Sequence, residues 1–139
     1  MESKGATRRE LIEAFVPQSP LVRHLGIELR ALRPDEAELA LPFSERVVTI
    51  GDVVHGGAIS ALIDTAATAA AWSDETIPES PSGSTVALSV DFVAAARGED
   101  VIATARVVRR GKSLCFCEVT AEGSDGRVVA KGLVTYRFG

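Results

Sequence analysis

The chain has 139 residues, 46% of them hydrophobic, with a net charge of −4 and a pI near 5.2. This length and apolar content fit one globular domain with a substantial core and leave no room for a second. The acidic balance and the few aromatics (Trp72, Tyr136 and five phenylalanines) argue against a generally basic nucleic-acid binder or a stacking platform for single strands. No run of about 18 apolar residues offers a membrane span, and the N-terminus lacks the apolar stretch of a signal peptide, so the cytoplasm is the expected location. Cys115 and Cys117 match neither the C-x-x-C redox spacing nor a zinc set; they read as two residues sharing one buried strand face.

In chain order, Arg8 to Val16 places Leu11, Ile12, Phe15 and Val16 at helical spacing, and Pro17 ends a short docking helix. Leu25 to Leu32 and Ala37 to Phe43 read as two strands of a hairpin around Arg33-Pro34-Asp35-Glu36. His55 to Trp72, HGGAISALIDTAATAAAW, is a long helix opened by two glycines. Ile59, Leu62, Ile63 and Ala66 recur at i, i+3, i+4, i+7 with alanines around most of the remaining circumference, so it expects burial on nearly all sides. Glu75 to Gly83, with Pro78 and Pro81, is loop-like and long enough to form a flexible rim.

Four extended runs follow: Ser84 to Ala94, Asp100 to Val108, Ser113 to Glu122 and Arg127 to Phe138. They are separated by turn signals at Arg97-Gly98, Arg110-Gly111 and Asp125-Gly126, and predict a four-strand antiparallel meander. The whole is an α+β pattern of about six strands in a curved antiparallel sheet around one long central helix, with a short N-terminal helix added.

Asp64 is the only ionisable side chain in the long helix after His55. Burying an unpaired carboxylate costs more than its packing returns, so Asp64 is exposed, paired, or kept for chemistry. We read it as chemistry.

The string HGGAISALIDTAATAA, with His55 nine residues before Asp64, resembles the hotdog-fold acyl-CoA thioesterases of the phenylacetic-acid-degradation (PaaI-like) family. LGIEL (Leu25 to Leu29), TVALSVDF (Thr85 to Phe92), ARGED (Ala96 to Asp100), RRGKS (Arg109 to Ser113) and DGRVVAKG (Asp125 to Gly132) stand in that family's order and spacing. The resemblance implies a single hotdog domain over residues 20–139 behind an N-terminal helical extension over 1–19. It implies hydrolysis of an aryl- or medium-chain acyl-CoA, with coenzyme A part of the substrate, and needs no cofactor or metal. By the same resemblance Asp64 is the general base or nucleophile, and the Gly56 backbone N–H polarises the thioester carbonyl. That N–H role suits a helix N-terminus, whose unpaired N–H groups carry partial positive charge. His55 would brace the loop before the helix or serve only as an ordinary helix-start residue, and Thr85 would supply a hydroxyl that orients the water or the carboxylate.

Thr49 and Gly57 are expected beside the substrate, and Arg97, Arg109, Arg110, Lys112 and Ser113, in or beside two turns, are candidates for the coenzyme A phosphates. The chain departs from the family pattern at Thr49 and Asp52, where relatives carry Asn and Gly, and at Ala94 and Ala95, where they carry Arg-Pro.

Helix geometry adds a constraint. Gly56 and Asp64 lie about 12 Å apart along one helix, too far for one thioester to touch both. The pair that shares a site therefore comes from different chains, which predicts an obligate homodimer with interfacial sites, assembled as a dimer of dimers as in similar proteins. The alternatives are a hotdog hydratase or dehydratase, which wants a histidine–acid pair where only His55 is available, and a non-catalytic acyl-CoA-binding protein, which Thr49 and Asp52 keep open.

Overall fold

The computed structural model describes residues 8–74 and 82–139. In order, the elements are helix α1 (Arg8–Phe15), a 3₁₀ turn (Val16–Gln18), α2 (Pro20–Leu25), strands β1 (Glu28–Arg33) and β2 (Glu36–Leu41), a second 3₁₀ turn (Glu45–Val47), the long helix α3 (Gly56–Ala71), and strands β3 (Gly83–Phe92), β4 (Val101–Arg110), β5 (Leu114–Glu122) and β6 (Val128–Phe138). The rim expected over Glu75 to Gly83 lies, as far as residue 81, outside the described residues.

All six strands form one antiparallel sheet in the order β1-β2-β4-β5-β6-β3. The expected four-strand meander is corrected here: β4, β5 and β6 follow one another, but β3 pairs with β6 at the far edge. The link between β3 and β4 is too long for a hairpin and is tied to the segment before α3, through Val54 N–H to the Ala96 carbonyl (2.9 Å) and Gly98 N–H to the Asp52 carbonyl (2.8 Å). It carries the chain across the opening of the helix, so β4 meets β2 rather than β3. The sequence reading also began the first strand too early. Leu25 ends α2, and Gly26, at φ 79, supplies the left-handed residue that stops it.

The helix α3 lies in the concave side of the sheet. Ile59, Leu62, Ile63, Ala66, Ala67 and Ala70 are buried with Leu39, Leu41, Val101, Val119 and Val129. Small residues let helix and sheet approach closely, and Gly132 of β6 shows how closely, since a Cβ there would fall 2.6 Å from Ile63 Cγ2. Cys115 and Cys117 are buried free thiols on one strand face, with sulfurs 3.9 Å apart. The neighbouring thiol and burial hold the Cys117 thiol far above its ordinary pKa, so it is not a reactive group. Burial of α3 is not complete, however. Ser60, Ala61, Asp64, Thr65 and Thr68 form a half-buried stripe, partly covered by the N-terminal elements, whose Ile12, Val16 and Val22 join the core.

Candidate active site

The two glycines after His55 have different physical reasons. His55 caps α3 through its side chain, with Nδ1 accepting from the Gly57 N–H at 2.7 Å. An acceptor Nδ1 carries no proton, so the cap requires the neutral ring protonated at Nε2. A Cβ on Gly57 would lie 2.9 Å from that Nδ1, so the second glycine is what lets the ring fold over the helix end. At Gly56 a Cβ would meet the Phe92 ring at 3.3 Å.

The Ala58 and Ile59 N–H groups both turn back to the His55 carbonyl, at 3.0 and 3.1 Å. With Gly57 spent on the imidazole, the Gly56 N–H is left without a partner among the described residues, at the positive end of a 16-residue helix.

Two turns along the helix, half-buried Asp64 accepts a hydrogen bond from the Thr85 hydroxyl of β3 at 2.6 Å. The bond uses Oδ1 and leaves Oδ2 for a water or a substrate carbon. Asp64 also faces a cavity of about 150 Å³ lined by Ile12, Phe15, Val16, Thr65 and Thr68, next to a larger one of about 330 Å³ that extends to Trp72 and Tyr136. Reasoning from sequence did not connect α1 with Asp64, although the i, i+4, i+8 spacing of Asp64, Thr68 and Trp72 was available as a signal.

The structure thus brings Asp64 and Thr85 together and places His55, Gly56 and Gly57 at the helix opening. Thr49 is exposed in the turn before the helix, its N–H donating to the Val53 carbonyl at 2.9 Å. Asp52, the other departure, faces Arg97 at 3.6 Å, an exposed pair that offsets its charge at the helix opening.

The candidate phosphate contacts divide. Arg97 belongs to the helix opening, bridged to Val53, whereas Arg109, Lys112 and Ser113 are exposed around the β4–β5 turn at the other end of β4. Ten residues of β4 span roughly 33 Å, so the two sets lie at opposite ends of one chain.

Arg110 is committed elsewhere. It donates to Asp35 Oδ1 (2.7 Å from Nη2) and to the Ala71 carbonyl at the carboxyl end of α3 (2.9 Å from Nη1), and its guanidinium lies 6.0 Å above the Phe138 ring. Burial is the largest single influence and works against its charge, but the Asp35 bond and the nearby charges of Asp35, Asp74 and Cys115 together outweigh it and raise its pKa. The guanidinium is thus engaged within the chain, unlike that of exposed Arg109.

Comparison with known proteins places this arrangement. Residues 51–130 match the model of the thioesterase superfamily. The chain is 30% identical over 143 aligned residues to the medium/long-chain acyl-CoA thioesterase YigI of Escherichia coli, covering 91% of this chain and 90% of that one. It is 28% identical to human acyl-coenzyme A thioesterase 13, covering 100% of this chain and 99% of that one. Its fold superposes on the PaaI protein of the E. coli phenylacetic acid degradation operon with a TM-score of 0.81 at 19% identity, covering 95% of this chain and 93% of that one. The chain belongs to the hotdog-fold thioesterase superfamily and is a thioester hydrolase. No helix among the described residues is long and apolar enough to cross a membrane.

Proposed function

We propose that the protein hydrolyses an aryl- or medium-chain acyl-CoA at sites shared between two copies of the chain, with Asp64 as general base or nucleophile. The observation that carries this reading is the Thr85–Asp64 bond at 2.6 Å. It fixes one carboxylate oxygen of a residue that lines the cavity where an acyl group would lie, and leaves the other oxygen unbonded among the described residues. As general base, Asp64 takes a proton from water as the oxygen attacks the carbonyl carbon, and the tetrahedral intermediate collapses with cleavage of the C–S bond, the coenzyme A thiolate leaving with that proton; as nucleophile, its free oxygen attacks, the C–S bond breaks to release the thiolate, and water then cleaves the mixed anhydride to the free acid and the regenerated carboxylate. Either way negative charge develops on the carbonyl oxygen, and a fixed N–H aimed at that charge lowers the barrier. Gly56 of the partner copy supplies that N–H, since the one on the same helix is about 12 Å away.

Two features support the pairing. β3 is a ten-residue edge strand with Val86, Leu88 and Phe92 exposed, the kind of long apolar edge that soluble proteins cover. The half-buried stripe of α3 that carries Asp64 is likewise unfinished within one chain. Antiparallel pairing of two β3 edges would set the Gly56 end of one α3 beside the middle of the other. It would also bring the partner's Arg97 toward Arg109, Lys112 and Ser113, gathering both cationic sets around one coenzyme A. Further association into a dimer of dimers is part of the same reading. The opening of α3, with Thr49 nearby, would meet the thioester end of the ligand.

A complementation experiment tests chemistry and pairing together. Asp64→Asn keeps the shape and removes the base. Gly56→Pro removes the N–H at the first helical position, where proline is tolerated. Each variant alone should lose at least a hundredfold in kcat on the best acyl-CoA. After co-refolding in equal amounts, half the dimers are mixed and each holds one intact site, so about a quarter of native turnover should return. Dead parents with no recovery would overturn the shared site, and an active Asp64→Asn would overturn the role of Asp64.

A further inference from the structure

Within that reading, we propose that α1 is the roof of an elongated acyl-tail chamber running from Asp64 to Trp72, built for an unbranched tail of about decanoyl length, with Ile12, Phe15 and Thr68 setting the length preference. The two cavities at the site share Ile12, Phe15 and Thr68 in their walls, so they are adjoining compartments of one chamber. Its floor is a single stripe, Asp64 and Thr68 of α3 and the C-cap residue Trp72, at successive turns. Eight residues of helix make that floor about 12 Å long, a length that an extended decanoyl tail spans.

The shape decides between tail types. A benzoyl or phenylacetyl ring would occupy the compartment of about 150 Å³ beside Asp64 and leave the one of about 330 Å³ empty. Apolar walls facing a void forfeit their dispersion contacts, so a ligand that fills both compartments is favoured. The far end is lined by a rigid aromatic set. The Trp72 indole N–H donates to the Tyr136 hydroxyl at 2.7 Å, and both rings pack edge-on against Phe138, with centroids 5.1 and 5.3 Å away. Gly83 lines this end too and has no room for a side chain, since a Cβ there would meet the Tyr136 ring and hydroxyl at 2.6 Å. Tyr136 senses the charge of Asp64 across the chamber, after the larger effects of burial and its Trp72 bond.

The roof differs from the floor in kind. α1 is eight residues long, and Phe15 on it is 63% exposed while lining both compartments. The floor belongs to the core, and so does Ile12 on the roof, whereas the exposed Phe15 can be exchanged with little disturbance of it.

Trp72 is the only tryptophan in the chain and stands at the end of the chamber far from Asp64, so it reports how far a tail reaches. The experiment titrates full-length Asp64→Asn protein, which holds substrate without consuming it, with coenzyme A and with acetyl-, butyryl-, benzoyl-, octanoyl-, decanoyl- and palmitoyl-CoA. Trp72 emission should shift with octanoyl- and decanoyl-CoA and stay unchanged with coenzyme A, acetyl- and benzoyl-CoA. In the native protein KM should fall about threefold to fourfold per added methylene up to decanoyl and then level off. Thr68→Phe, which blocks the junction, should raise KM for decanoyl-CoA at least tenfold more than for butyryl-CoA, and Phe15→Ala should narrow the difference between decanoyl- and palmitoyl-CoA.

A Trp72 response equal for coenzyme A and decanoyl-CoA would overturn the proposal, as would a Thr68→Phe defect equal for all chains. Length-graded Trp72 shifts in a native protein that turns over no acyl-CoA would support the chamber while overturning hydrolysis, so the two failures are distinguishable.

Discussion

The two ends of α3 are finished in different ways. At the carboxyl end every feature closes inward: Arg110 bonds the Ala71 carbonyl and Asp35, the Asp35 N–H donates to the Ser73 hydroxyl at 2.7 Å, and that hydroxyl donates to the Ala70 carbonyl at 2.6 Å. Helix, hairpin turn and sheet are locked together there by residues of one chain. At the amino end one ring nitrogen caps one N–H, and the Gly56 N–H has no partner among the described residues. The contrast separates the part of the helix that holds the fold from the part proposed above to meet the substrate.

Disturbing the amino end should therefore cost activity much more than stability. Gly57→Ala puts a methyl 2.9 Å from His55 Nδ1. The ring is a side-chain end and can swing away, so the helix persists but its cap bond is lost, at about 1 kcal/mol. A swung ring no longer fixes the first turn, and displacing an oxyanion donor by about an ångström costs on the order of a hundredfold in rate. The expected result is a kcat about a hundredfold lower with Tm lowered by only a few degrees, measured by thiol release and thermal melting. A full-speed enzyme would show that the cap does not position the donor.

Arg110→Ala makes the opposite trade. It removes charge-assisted bonds to Asp35 and a cation from a helix C-terminus, together about 2 kcal/mol. Tm should fall on the order of 5 to 10 °C while KM for acyl-CoA is unchanged. A raised KM with an unchanged Tm would return Arg110 to the phosphate contacts expected from the sequence, and Arg109→Ala is the matching variant in which KM should rise.

These residues show where sequence reading succeeds. α3 was legible because its 3.6-residue period and glycine opening are local, and so were β1–β2 and the β4–β5–β6 run, which join neighbours through short turns. Three features were not. The place of β3 depends on pairing with β6, some forty residues later, which alternation within β3 cannot reveal. Arg110 reads like its neighbour Arg109 until the fold brings in Asp35 from 75 residues away. The roof over Asp64 depends on where a short helix docks, and its periodicity announces only an apolar face. Asp64 and Thr85 stood out separately, one as a lone acid in an alanine helix, the other only through family resemblance, and nothing local in the chain stated their 2.6 Å contact.

The smallest effect separates the two ends by pH. The link that crosses the amino end is held by Glu99, which accepts from the Arg97 N–H (3.0 Å), the Ser124 N–H (2.8 Å) and the Arg127 guanidinium (3.2 Å). The Arg97 and Ser124 N–H groups above all lower its pKa from 4.5 to about 2, against a smaller opposing effect of desolvation. A carboxylate whose folded value lies below its unfolded one stabilises the fold fully above the unfolded value and loses that contribution as pH falls through the folded one. The Glu99 brace is thus intact above pH 4.5 and weakens from there toward pH 2. Arg110 keeps its charge and its bond to the Ala71 carbonyl over that range. Acid should accordingly loosen the amino end first, and hydrogen exchange should show protection lost around Arg97 and Ser124 before it is lost at Ala70 and Ala71. In Glu99→Gln, Tm should be lower at neutral pH and fall less steeply between pH 4.5 and 2 than in the native protein. Equal slopes for the two proteins would mean that the brace at the amino end does not depend on this carboxylate.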